Sequence, residues 1–305
     1  MTTVMTQPET VHAAPSAPAN LRPQASQASA TTATRRYIYC VVGSDSPRNF
    51  GRLGIGLDGS GAAAADGPEV FILAHKSVAA VISATAIEKF EISRTNVLAH
   101  QKVMERVMEA GCTVLPVKFN TLAEERAGQT AESRIIRCVL EPRQEELTAL
   151  LAEMSTRAEV GVKGLWPDMK AVFADLARSS RPIDQLRRKI VQPSGSRAGA
   201  MALQMRLGEM VKAALEDRKA LLEKELLGCL SPLAGRWRKN KTFGDPMFAN
   251  LGLLVEKANL PRVEAALSAF EQGLGGGIRL RCVGPVPPSN FIELVITWDD
   301  DSASE

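Results

Sequence analysis

Histidine is the scarcest of the residues that do chemistry in this chain: of 305 residues, only His12, His75 and His100 are histidines. None pairs with a cysteine or a carboxylate at ligand spacing, which argues against a structural zinc site. The five cysteines, Cys40, Cys112, Cys138, Cys229 and Cys282, are widely spaced and form no CxxC. Odd in number and mostly flanked by apolar residues, they read as buried, reduced thiols, not a disulfide framework or redox pair. Long apolar runs are lacking too. The best, Val70 to Ile87, is interrupted by His75 and Lys76, short of the roughly 18 to 20 apolar residues that span a bilayer. Residues 1–34 contain no apolar h-region, and Arg35-Arg36 leads into an aromatic, strand-like segment instead of a signal sequence. A cytoplasmic protein with no membrane partner is expected. Charge of one sign is also missing. The 37 basic and 34 acidic residues leave +3, without the basic excess that a nucleic-acid binder concentrates on one face.

What remains is ordinary globular material, 45% hydrophobic and 23% charged, long enough for two domains. Residues 1–34, rich in Ala, Thr, Ser, Pro and Gln, bury too little to offset ordering entropy and read as a disordered tail. An N-terminal α+β domain is expected over 35–155. It opens on a strand from Tyr37 to Val42, followed by a Gly-rich loop over 44–67. Strands at Val70–Ala74 and Val78–Ser83 come next. A helix from Thr95 carries Val97, Leu98, Val103, Met104 and Val107 and stops at Gly111. Another strand covers Thr113–Phe119, with Pro116 marking an edge or bulge. The order suits a sandwich with helices on one sheet face. A helix from about Glu132 to Met154 then leads into a second domain over 156–298.

The second domain begins with a period-two strand from Glu159 to Trp166. A helical region over 168–230 follows, ending in an amphipathic helix from Ala198 to Leu227. At 1.5 Å per residue that helix is about 45 Å long, enough for a helical hairpin or a coiled-coil-like arm. Strands at Phe248–Glu256, Ile278–Val283 and Phe291–Trp298, with a helix from Pro261 to Gln272, complete a series like a ferredoxin-like sheet. Residues 299–305 form an acidic tail.

Motif by motif, chemistry recedes. Gly54-Ile55-Gly56-Leu57-Asp58-Gly59 satisfies GxGxxG, yet no strand ends at its first glycine, and a flexible loop is the simpler reading. His100 reads as a half-buried helix histidine. Arg236-Trp237-Arg238-Lys239-Asn240-Lys241 interleaves an aromatic with cations, which suits a solvated strand or turn burying Trp237, or a grip on acidic protein or nucleic acid. Gly284-Pro285-Val286-Pro287-Pro288-Ser289-Asn290-Phe291 is a stiff, extended corner, because proline fixes φ and removes donors.

These residues together resemble the gas vesicle protein F/L family (GvpF/GvpL) over about Tyr37 to Trp298. The likeness lies in Tyr37-Ile38-Tyr39, in His100 through Val107, and in Val114-Leu115-Pro116-Val117-Lys118-Phe119. It continues in Glu159-Val160-Gly161-Val162-Lys163, in Gly199 to Val211, and in the corner from Gly284 to Phe291. There Val286, Ser289 and Asn290 stand where the family has Trp, Tyr and Ser, as in a divergent paralogue. The resemblance implies an α+β fold of two modified ferredoxin-like α/β sandwiches with a long helical, coiled-coil-like extension. It further implies an accessory protein of gas vesicle assembly, no enzyme and without cofactor or metal. Its expected partners are the hydrophobic shell protein (GvpA type) and other accessory proteins. The candidate partner-binding residues are Gly284, Pro285, Pro287, Pro288 and Phe291 of the corner, Trp166, and Leu207 and Met210 of the long helix. Two alternatives stay open: a scaffold that contacts only other accessory proteins, and a nucleotide- or nucleic-acid-binding regulator.

Overall fold

A computed structural model of the chain describes residues 34–56, 67–191 and 197–298. The expected tail up to residue 33, residues 57–66 of the Gly-rich loop and the acidic end at 299–305 lie outside the described residues. The described residues from Thr34 on form one compact unit built on two antiparallel sheets.

The first sheet starts with β1 (Arg35–Gly43), β2 (Asn49–Arg52), β3 (Glu69–His75) and β4 (Val78–Thr85). After α1 (Arg94–Glu109) come β5 (Val114–Pro116) and β6 (Leu122–Glu124). The strand order is β2-β3-β4-β1-β5, and β6 pairs with β1 as well. A bulge between Ile38 and Cys40 interrupts the alternation of β1. Tyr37, Tyr39, Cys40 and Val42 consequently join the core under α1, while Ile38 and Val41 join the core on the opposite face. α1 begins where Ser93 accepts the Asn96 N–H, and it buries Ala99, His100, Val103, Met104 and Val107. That is the period expected of a helix packed on a sheet.

Three expectations for this half need correction. A short strand, β2, forms inside the stretch read as a loop. The helix expected from Glu132 to Met154 is in fact α2 (Ala131–Ile135), a π-helical turn (Ile136–Leu140) and α3 (Gln144–Ser155). Pro142 causes the break, since it has no N–H to donate and its ring crowds the preceding turn. Finally, α1 and α3 cover opposite faces of the sheet, so the helices are not confined to one. The fully buried run Tyr37–Val42 of β1 requires cover on both sides.

The second half runs β7 (Arg157–Leu165), α4 (Met169–Ser179), α5 (Arg181–Val191), α6 (Arg197–Leu230), β8 (Ala234–Lys239), β9 (Met247–Glu256), α7 (Leu260–Gly273) and β10 (Arg279–Val286). Its order β10-β7-β9-β8 is fourth-first-third-second, the ferredoxin-like order. The first sheet repeats that order as β5-β1-β4-β3, with the stretch between β1 and β3 standing in for the first crossover helix. Phe248, Leu251 and Leu253 of β9 pack with Val160 and Val162 of β7 against Val172, Leu226 and Val263 of the helices. Gly164 makes this possible: a Cβ there would lie 2.4 Å from the Phe248 ring.

The last strand expected, Phe291 to Trp298, does not form. Pro287 and Pro288 cannot donate to a ladder, so the chain leaves the second sheet after Val286. It returns to the first half through a single parallel bridge between Val117 and Leu294.

Candidate protein-interaction site

The proline corner is held from beneath. Gly284 passes so close to β7 that a Cβ would lie 2.8 Å from Val160 Cγ1 and 3.0 Å from the Glu159 carbonyl. Pro285 is exposed, whereas Pro287 and Pro288 are buried. The turn closes with the Phe291 and Ile292 amides donating to the Pro288 carbonyl at 3.0 and 2.9 Å. Asn290 then grips a buried carboxylate: its backbone N–H donates to Glu159 Oε2 at 3.1 Å and its Nδ2 to Oε1 at 2.5 Å. Burial pushes the Glu159 carboxyl up, and the two Asn290 hydrogen bonds only partly offset this. Gly252 of β9 leaves room for the Asn290 side chain, which a Cβ would approach to 2.8 Å. Phe291 lies half-buried under the Arg236 guanidinium, 5.7 Å from ring centre to Cζ. The chain then docks on the first half, where the Leu294 amide donates to the Pro116 carbonyl at 2.7 Å.

The other expected residues sit elsewhere. Trp166 is 3% exposed and packs on Phe248 with ring centres 5.3 Å apart. Leu207 and Met210 are half-buried on α6, which packs along α5. The candidate residues therefore occupy three places: the corner, the core of the second half and the upper part of α6.

α6 has a feature that the sequence stripe did not isolate. In its lower half, Leu215, Lys219, Leu222, Leu226 and Leu230 are buried. Stepping back from Leu215 by three and four residues leads to Lys212, Gly208, Met205 and Met201, the same face of the helix. There the face is bare. Met201 is 64% and Met205 61% exposed, and Val191 at the end of α5 is 78% exposed. The row that packs on the second sheet continues past it into solvent.

The remaining motifs resolve into structure. Gly54 of GxGxxG is used in closing the loop: its N–H donates to the Pro68 carbonyl at 3.0 Å, and a Cβ would lie 2.6 Å from the Pro68 ring. His100, 6% exposed, stacks on Tyr39 at 5.6 Å, more buried than expected. The Tyr37 hydroxyl accepts the Asn120 N–H at 3.0 Å and lies 3.1 Å from His100 Nδ1. The Val117 backbone also acts on the ring. Burial lowers the His100 pKa to about 4, so the ring is neutral near pH 7. Burial also raises the Tyr37, Tyr39 and Cys40 pKa values. These groups form a satisfied polar core and not an acid–base pair. Trp237, expected to be buried, is 43% exposed on β8, the last strand of the second sheet. Among the described residues, no group of histidine, cysteine and carboxylate side chains is placed to hold a metal ion, and no helix is long and apolar enough to cross a membrane.

The sequence reading named Glu159 and Asn290 but missed that they pair. A carboxylate inside the buried strand Ala158-Glu159-Val160 was the available signal, since charge there needs a partner.

Known proteins place this arrangement. The family model described as gas vesicle synthesis protein GvpL/GvpF matches residues 35–293. Gas vesicle protein F of Nostoc sp. (strain PCC 7120) is 24% identical over 208 residues, covering 68% of this chain and 81% of that protein. The corresponding protein of Microcystis aeruginosa is 26% identical over 217 residues, covering 70% and 83%. The crystal structure of GvpF from Anabaena sp. PCC7120 matches with a TM-score of 0.66 at 22% identity, covering 86% of this chain and 99% of that one. That of Microcystis aeruginosa GvpF matches at 0.60 and 22%, covering 86% and 100%. At that identity these two structures speak for the fold.

Proposed function

Because this chain belongs to the gas vesicle synthesis protein GvpL/GvpF family and so has a role in gas vesicle formation, we propose that it acts there as a non-enzymatic assembly protein that binds the hydrophobic shell protein. The observation that carries this reading is the overhang of α6. Met201 and Met205 extend a core-facing row beyond the buried part of α6. A helix face of this kind accepts the apolar side of an amphipathic partner helix, and methionine adapts its shape to such a partner. Leu207 and Met210 flank the overhang on the side of α5 and support it. The stiff corner, with exposed Pro285, holds the sheet beneath in one geometry and is a secondary contact.

Covering the overhang would keep the shell subunit soluble until it joins the growing shell. Co-expression of the shell protein with the wild-type chain should raise the soluble, co-purifying fraction of shell protein. The double variant Met201→Glu/Met205→Glu should lower it at least 5-fold while its circular dichroism is unchanged. Equal recovery with both chains would reject the proposed surface. If other accessory proteins were captured and the shell protein never was, the chain would be a scaffold among accessory proteins instead.

A further inference from the structure

We propose that the outer edge of β8 receives an extended, acidic segment of a protein partner, which adds to the second sheet as a fifth strand. This surface is separate from the α6 overhang, and the inference does not depend on shell-protein binding.

The order β10-β7-β9-β8 leaves β8 paired on one side only. The phase of that pairing is fixed by the Asn240 amide, which donates to the Asn250 carbonyl at 2.7 Å. In an antiparallel ladder, bonded and non-bonded pairs alternate. Given the pairs Trp237–Leu253, Arg238–Gly252 and Lys239–Leu251, Arg238 bonds towards β9. Trp237 and Lys239 turn their N–H and C=O groups outward. Residues 235–239 are all exposed. β8 therefore offers two residues' worth of strand-spaced donors and acceptors to a new strand.

The side chains specify the partner. Arg236, Arg238, Lys239 and Lys241 fall within six residues. Arg236 stacks over Phe291 and lies 3.8 Å from Glu153, and Lys239 pairs with Glu223 of α6. Arg238 has no ion-pair partner among the described residues. A groove of about 440 Å³, lined in part by Gly235, Trp237, Arg238 and Phe291, runs beside the edge. A strand docked antiparallel would set acidic residues opposite Arg236 and Arg238 and an apolar residue opposite the exposed indole of Trp237. The matching pattern is acidic, apolar, acidic.

A second copy is the wrong occupant. Two β8 strands paired about Trp237 would bring Arg236 against Arg238 of the other chain twice, and like charges directly opposite destabilise a sheet. A nucleic acid would meet the cations but leave the outward carbonyls unmatched. Charge alone also serves to protect an edge. Protection does not call for a half-exposed tryptophan, however, and β8 lacks the proline that interrupts the opposite edge at Pro285.

The test is amide hydrogen exchange on the full chain, with and without a heptapeptide alternating glutamate and valine. Exchange at the Trp237 and Lys239 amides should slow at least 10-fold at saturating peptide, and Arg238 should be unaffected. A version with proline for every valine, or the variant Arg236→Glu/Arg238→Glu, should weaken peptide binding at least 10-fold by fluorescence anisotropy. The Met201→Glu/Met205→Glu chain should bind like wild type. Unchanged exchange at Trp237 and Lys239, or equal binding of the proline peptide, would overturn the proposal. So would tighter binding of single-stranded DNA to the same residues, or a β8-dependent dimer in sedimentation.

Discussion

The two halves of the molecule solve one topological problem in different ways. Each arranges four strands in the order fourth-first-third-second, β5-β1-β4-β3 and β10-β7-β9-β8. They part company at the connection between the first and second strands. In the first half, Phe50 and Ile55 from that connection pack beside the tyrosine core, and the Tyr39 hydroxyl accepts the Ile55 N–H at 2.9 Å. In the second half the same connection is α4, α5 and α6. A sheet face needs only enough apolar cover to exclude water. Among the described residues of the first connection, Phe50 and Ile55 are the side chains that supply it. The 34 residues of α6, about 51 Å of helix, overshoot the sheet, and the surplus is the exposed row at Met201 and Met205. The surface proposed for binding thus lies where a structural element is longer than the fold requires.

The halves also differ in how their interiors are filled, and substitutions should separate them. The largest effect is expected in the second half, where Phe248 occupies the space that Gly164 leaves open. Phe248→Ala should cost about 3–5 kcal/mol in urea unfolding, the usual range for emptying such a site. In the first half the sensitive element is polar. His100 has its pKa lowered to about 4 from 6.5, so the unfolded chain binds more protons between those values. Stability should therefore fall as pH drops through that window, by about 3 kcal/mol at full protonation. The His100→Gln variant should lose most of that pH dependence; an identical dependence would place its origin elsewhere.

Glu159 in the second half runs the opposite way. Its carboxyl is raised by burial, so it favours the folded state on acidification. Asn290→Ala removes the Nδ2 hydrogen bond to Oε1, leaves the backbone N–H to Oε2 in place, and should cost about 1–3 kcal/mol at neutral pH. The deficit should shrink on acidification, as the carboxyl takes up its proton. A deficit unchanged on acidification would show that Asn290 acts through packing alone. The smallest effect on stability is expected at the overhang. Met201→Glu/Met205→Glu touches exposed side chains and should shift the unfolding midpoint by no more than about 0.5 kcal/mol in free energy, even as it removes partner binding.

Much of this division was legible in the sequence. The buried face of α1 holds Val103, Met104 and Val107 as written, but Val97 and Leu98 are exposed and Asn96, Ala99 and His100 are buried instead; the long helix was placed within three residues of its ends. Short elements escaped. β2 and β6 have four and three residues, too few for a period to register, and they form because β3 and β1 offer edges to pair with. Pro142 stood in plain view, yet the apolar period on either side concealed the break it causes. The corner was recognised as stiff, but Glu159 and Asn290 are 131 residues apart, a pairing that no local pattern encodes. Trp237 was misplaced for a related reason, since whether a strand lies at an edge is decided by neighbours far along the chain.

The most direct measurement is photocrosslinking from single positions of the chain in cells assembling gas vesicles. A photoreactive residue at 205 on the α6 overhang should yield an adduct with the shell protein, and one at 173 on exposed α4 should give little or none. Adducts with the shell protein from 173 but none from 205 would contradict the assignment of the overhang as its docking surface.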